Sequence, residues 1–250
     1  MIVTAVGTRR LTPHELSLPE LLDESIDRLE PRSILAITSK VVSLCEGRVV
    51  SPEEIGKSAL IEAEAQYFLP RSCSRYDVAL TIKRNVLIPS AGVDESNTGG
   101  PYVMWPADAQ ASANLIWEYL AARFSTPEIG VIITDSSTMP LRMGVTGIAI
   151  AHAGFRALND FVGTRDLFGR PLAMTRSNVA GGIAAAAVAV MGEAAEQTPI
   201  AIVTDLPFVS FQRRVPTAEE IAALTIEPED DLYAPLLQAV DWRRGGACAE

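Results

Sequence analysis

The chain has 250 residues, 48% of them hydrophobic, with 31 acidic and 21 basic side chains and a formal net charge of −10 at pH 7. That length and apolar content suit one large folded unit or two intimate ones, and they exclude a disordered chain. The negative balance speaks against a general nucleic-acid binder, and two histidines are too few for a multi-histidine metal site. In chain order, residues 33–39 (SILAITS) form a short apolar run that reads as a buried strand. Ser51-Pro52-Glu53-Glu54 carries a capping-box pattern, with serine to cap and proline at the first helical position, and predicts a helix start. Residues 86–88 are a short apolar run ending at Pro89. Residues 110–124 place Ala113, Ile116, Trp117 and Leu120 at helical spacing and predict an amphipathic helix. Residues 128–134 (EIGVIIT) and 199–204 (PIAIVT) read as further buried strands. Between them, residues 178–191 are alanine-rich and stopped by Gly192, the pattern of a buried helix. Thr217-Ala218-Glu219-Glu220 is a second capping box, opening a C-terminal helix, and residues 245–250 are expected to be a frayed tail. Strands alternating with helices predict an α+β (mixed α/β) protein whose strand order stays open.

The most apolar run, residues 179–191, is broken by two glycines and is shorter than the roughly 20 residues a membrane helix needs. The opening apolar segment is short and followed by Arg9 and Arg10, unlike a secretory signal. Cys45, Cys73 and Cys248 are odd in number and include no CxxC, which fits a reducing, cytoplasmic setting. A P-loop, a GxGxxG turn and a GxSxG elbow are all missing, so neither a dehydrogenase nor a serine hydrolase has support.

Polar residues gather where apolar elements stop. Asp94 lies in the loop 91–97 (AGVDESN), which is either an Asx-type turn or a site. Asp135 and Ser136 follow the apolar run 128–134, a position shared by ligand sites of open α/β sheets and by helix N-caps. Glu193 follows the buried helix, as a solvent-facing residue or a ligand. Carboxylates and hydroxyls without Cys or His suit Mg²⁺ or Mn²⁺ rather than zinc. A polyanion held by such an acidic protein needs local cations, and Lys40 and Arg142 are the candidates, each otherwise an ordinary surface side chain.

Thr38-Ser39-Lys40-Val41-Val42-Ser43, with Glu46-Gly47-Arg48 after it, resembles the TSKxVSxxEGR signature of the coenzyme F-420:L-glutamate (γ-glutamyl) ligase family. The resemblance runs in order through 91–97, Trp105-Pro106 with Ser112-Ala113, 132–135 (IITD), Arg142, Gly144, 166–170 (DLFGR), 184–187 and 190–193 (VMGE). It implies an α+β ligase fold of two intertwined subdomains and an intimate homodimer. It also implies GTP (or ATP) as co-substrate with Mg²⁺ or Mn²⁺, and L-glutamate joined to a small carboxylate acceptor through an acyl phosphate. Carried over by position, Asp94, Asp135, Ser136 (threonine in the family) and Glu193 are metal ligands. Ser39, Lys40, Asn97 and Gly192 contact the nucleotide, and Lys40 and Arg142 are the catalytic cations. Four departures bear on the acceptor: 135–142 reads DSSTMPLR where family members acting on the deazaflavin usually carry DTxGRPWR, Leu44 stands where the family has lysine, Gly181-Gly182 replaces an acidic pair, and 82–90 reads IKRNVLIPS. These resemble a bacterial subgroup described as folate-metabolism γ-glutamate ligases, so a folate-like or other small carboxylate is the alternative acceptor. A catalytically inactive nucleotide-binding relative is the other alternative, against which the joint presence of Asp94, Asp135 and Glu193 speaks.

Overall fold

The structure, a computed structural model, describes residues 1–248. A five-stranded sheet lies at the centre, in spatial order Ile2–Val6, Ile200–Thr204, Ile34–Thr38, Gly130–Thr138 and Val145–Ala153. Only Ile34–Thr38 and Gly130–Thr138 run parallel; the other neighbours are antiparallel. Helices and strands are mixed, as the alternation of elements predicts.

The unbroken apolar run of the central strand has a simple cause. Leu35 and Ile37 enter a cluster with residues of the helices Leu18–Ser25, Ser39–Glu46 and Ala109–Arg123. Ile34 and Ala36 enter a second cluster with the helix Val179–Met191. Side chains alternate across a strand, so a strand covered on both faces must be apolar at every position. Each fully buried Leu or Ile contributes about 1.5–3 kcal/mol. The Val179–Met191 helix starts as predicted, with Asn178 Oδ1 accepting from Gly181 N at 2.8 Å. It lies close to the sheet because Gly147 has no side chain; a Cβ there would stand 2.5 Å from the Ala184 carbonyl oxygen.

A smaller antiparallel sheet orders Arg243–Arg244, Tyr67–Leu69, Leu80–Lys83 and Val86–Pro89. Arg84 and Asn85 turn its hairpin with φ of 49° and 57°, the left-handed pair that a two-residue type I′ turn requires. Leu60, Ile61, Phe68, Val93 and Met104 form a third apolar cluster against this sheet.

Four expectations need correction. Ser51-Pro52-Glu53-Glu54 makes a single turn, with Glu54 N bonded to Ser51 O at 3.0 Å, and the helix begins only at Lys57. Only Ile55 follows the box before extended Gly56, so no apolar face extends the turn into a helix. The strand expected to end at Thr134 continues to Thr138, because Val145–Ala153 pairs with it beyond a register shift at Ile133/Thr134. Ser39, expected as the last residue of the strand 33–39, instead opens a helix, Ser39–Glu46, which carries Lys40 and whose N-cap Thr38 accepts from Val41 N. Residues 245–248 are not frayed: Gly245 N bonds Gln66 O and Ala247 N bonds Ala65 O, extending the pairing of Arg243–Arg244 with Tyr67–Leu69. Residues 249 and 250 lie outside the described residues.

Candidate active site

A cleft of about 720 Å³ opens where the parallel strand pair ends. Its walls come from segments far apart in sequence. The Ser39–Glu46 helix contributes Ser39 and Lys40, and its N-terminus, where a helix favours anions, opens on the cleft. The loop after the small sheet contributes Asp94 and Asn97; the far half of Gly130–Thr138 contributes Asp135 and Ser136; the end of Val179–Met191 contributes Gly192 and Glu193. All eight of these sequence-predicted residues therefore meet at one place. Arg142 does not line it. That residue is exposed on the turn between Gly130–Thr138 and Val145–Ala153, flanked by Leu141 and Met143 at 99% and 95% exposure.

Lys40 and the Asp94 loop lock together. Lys40 Nζ pairs with Asp94 Oδ2 at 2.7 Å and donates to Ser96 O and Oγ at 2.9 and 3.0 Å. Asp94 also accepts from the backbone N of Glu95 and Ser96 and from Ser96 Oγ, at 2.6–2.9 Å. The Asx-turn and the site readings of Asp94 thus describe one loop. Burial pushes the Asp94 carboxyl up, but the hydrogen bonds from Lys40 and Ser96 outweigh it and hold the group below the usual aspartate range.

Asp135 is held differently. The register shift beside it leaves Ile150 of the partner strand as an extra residue, and Asp135 stays paired in the ladder, opposite Ile148. Its Oδ2 accepts from the indole Nε1 of Trp105, and its Oδ1 from Ser136 N at 2.8 Å. Burial, reinforced by the nearby negative charge of Asp94, pushes its carboxyl up to about 6 despite these hydrogen bonds. The helix N-cap reading of Asp135 is excluded, since the chain stays in a strand. Ser136 Oγ donates to both oxygens of Glu193 at 2.8 and 3.0 Å, and Asn97 Nδ2 donates to Ala194 O at 2.7 Å.

Sequence reasoning missed Trp105 as part of the arrangement, together with Arg9 and Arg10, which line the cleft. Arg9 is ion-paired with Glu15 and Glu24. Nothing local marks Trp105, whose partner is 30 positions away. His152, by contrast, is buried and does not line the cleft; it stands edge-on to Phe155, with burial pushing its ring down to about 4.

Among the described residues, no three His, Cys, Asp or Glu side chains converge into a ready-made metal cage. The donor set still fits a hard cation. Asp94 and Asp135 sit close enough for one to raise the other's proton affinity, and Mg²⁺ is commonly bound by one or two carboxylates plus waters and substrate phosphates.

Comparison with known proteins shows the family. A family model described as F420-0:Gamma-glutamyl ligase matches residues 14–205. The chain belongs to this family. It is 37% identical over 210 residues to a coenzyme F420:L-glutamate ligase of Methanopyrus kandleri, covering 78% of this chain and 82% of that protein. Proteins of the same name from Methanothermobacter thermautotrophicus and Archaeoglobus fulgidus are 35% and 32% identical, covering 75% and 76% of this chain and 80% and 81% of their own lengths. The matched span contains every predicted site residue from Ser39 to Glu193. Among the described residues no helix is long and apolar enough to cross a membrane.

Proposed function

We propose that this member of the γ-glutamyl ligase family joins L-glutamate to a carboxylate acceptor through an amide bond, driven by GTP or ATP with Mg²⁺ or Mn²⁺. The observation that carries this reading is the meeting of Lys40, Asp94, Asp135 and Glu193, from four separate segments, in one cleft entered by a helix N-terminus. A carboxylate is a poor electrophile, so its oxygen first attacks the γ-phosphorus and releases the nucleoside diphosphate. The glutamate amine then attacks the acyl-phosphate carbonyl; inorganic phosphate leaves and the amine proton passes to base. Asp94 and Asp135, with Glu193 and Ser136 beside them, would hold a divalent cation, which would supply positive charge to the phosphoryl oxygens. Lys40, poised against Asp94, stabilises a further oxygen, and Ser39, Asn97 and Gly192 orient the nucleotide.

The acceptor is either the coenzyme F420 that the relatives' name mentions or a folate-like or other small carboxylate. Leu44 favours a changed acceptor because it lines the cleft where the family carries lysine, making that wall apolar; Gly181-Gly182 lies away from the cleft. Arg142 does not line this chain's cleft, and its exposed neighbours Met139, Leu141 and Met143, with Leu167, Phe168 and Met174 elsewhere, support a homodimer. Sedimentation should give twice the 26.8 kDa chain mass; a monomer mass overturns the homodimer.

Phosphate release by the purified protein tests the reaction, with GTP or ATP, Mn²⁺ or Mg²⁺, L-glutamate and each acceptor in turn. Release that needs glutamate together with one acceptor, and yields GDP or ADP, is expected. Pyrophosphate release would replace the acyl phosphate by an adenylate-type intermediate, and nucleotide binding without any release would favour the inactive relative.

A further inference from the structure

We propose that Trp105 is a positioning residue that fixes the Asp135 carboxylate for a divalent cation, buttressed by a partly buried ion cluster of Lys83, Glu64 and Arg48. This rests on the cation site of the reading above.

Trp105 is 2% exposed and does not line the cleft; it stands behind Asp135 and donates its only side-chain proton to Oδ2. The space for the indole is built. Gly92, at φ +69°, passes so close that a Cβ there would stand 2.2 Å from Trp105 Nε1. A side chain at position 92 would push the indole off the carboxylate, and the positive φ independently favours glycine.

Trp105 is in turn held by charges that the chemistry does not otherwise use. Lys83 Nζ lies 5.4 Å from the ring centroid, donates to Ala91 O at 3.2 Å and pairs with Glu64 at 2.7 Å. Arg48 donates its Nε to Trp105 O at 3.3 Å and its Nη2 to both Glu64 oxygens at 3.0 and 3.1 Å. Two cations share one carboxylate, and both grip the same tryptophan, one through its ring and one through its backbone. A buried charge such as Lys83 is costly unless partnered, and its partners Glu64 and Ala91 O, with Arg48, surround Trp105. With Oδ1 held by Ser136 N and Oδ2 by the indole, the Asp135 carboxylate has one orientation. A neutral donor does this without cancelling the negative charge a cation needs. Outer partners of metal ligands commonly change metal affinity by about 10- to 100-fold.

Trp105→Phe keeps a ring in place and deletes the N–H. Free Mn²⁺ counted by electron paramagnetic resonance, in the presence of GTP or ATP, should report a 10- to 100-fold weaker complex for the variant. Nucleotide affinity without metal and the thermal midpoint should stay close to wild type, a split that a merely structural role would not give. Unchanged Mn²⁺ affinity overturns the proposal. If the variant does not fold, the wild type decides. Paramagnetic Mn²⁺, and not Mg²⁺, should quench part of the tryptophan emission, because Trp117 and Trp242 bond to Ile129 O and Leu237 O away from the cleft. Bound Mn²⁺ with no quenching overturns it as well. Wild-type protein that binds no Mn²⁺ beside its nucleotide removes the cation site itself, whereas tight Mn²⁺ binding indifferent to Trp105→Phe removes only this inference.

Discussion

Asp94 and Asp135 face the same cleft, one from a loop and one from the central sheet, and their surroundings are opposite. Asp94 sits on a loop, 45% exposed at its side chain, with the full positive charge of Lys40 against it. Asp135 sits in a strand, desolvated, and its side-chain partner is a neutral indole. One carboxylate is held ionised by a cation; the other is held in place but left electrostatically unsatisfied. A site for a hard cation needs negative charge that the protein has not already cancelled, and Asp135 is where that charge is kept. The difference also separates structure from function: the Lys40–Asp94 pair steadies the fold, while the buried charge of Asp135 works against it.

The sharpest way to break the comparison is to neutralise the unsatisfied member. Asp135→Asn should lower turnover by about 10³-fold, several kcal/mol of charge stabilisation at 1.36 kcal/mol per tenfold. The same change should flatten the pH dependence of stability, while the amide NH2, facing one of the two N–H donors, lowers the midpoint itself. The sign follows from linkage. Asp135 has its folded-state pKa raised from 3.8 to about 6, so the folded state binds more protons between these values. Its contribution is fully favourable below pH 3.8 and is lost as pH rises through about 6. The variant should lack that loss, so the two stability curves should diverge between about pH 4 and 6 in thermal melts followed by circular dichroism. Equal turnover would remove Asp135 from the chemistry, and an equal pH profile would remove the desolvation argument.

Much of this was legible from residue order. The apolar strands 33–39 and 199–204 and the alanine-rich helix are found where the pattern put them, because burial on both faces demands continuous apolar sequence. Lys40, Asp94, Asp135 and Glu193 stood out because polar groups abruptly follow apolar runs, and all of them reach the cleft. What failed was information that is not local. Ser51-Pro52-Glu53-Glu54 has the residues of a capping box but no apolar face to bury, and it remains a turn. Asp135 read as the end of a strand because its own residues turn polar there; the ladder continues because Val145–Ala153 supplies the missing partners. Arg142 shares a segment with Asp135, yet the hairpin carries it away from the cleft to an exposed tip. Trp105 gives no sign of its role at all, since an indole N–H is defined by what it meets, and Asp135 arrives from another sheet.

The smaller test acts on the satisfied member. Lys40→Met removes the cation and retains much of its stem, leaving Asp94 with its backbone and Ser96 donors. Turnover should fall about 10²-fold, the lower range for one preorganised electrostatic group. Stability should fall by no more than about 1 kcal/mol, because the pair is partly solvated and exposed ion pairs are worth little. The pH dependence runs opposite to that at Asp135. Asp94 has a folded-state pKa below 3.8, so its contribution is present above 3.8 and lost as pH falls through the lower folded value. Without Lys40 the carboxyl should rise, since burial then meets less opposition, and a carboxyl-carbon NMR titration would follow that rise directly. If Lys40→Met stabilised the protein, or left Asp94 titrating where it does in wild type, the two carboxylates would not be the contrasting pair described above. The cation would then belong to the substrate rather than to Asp94.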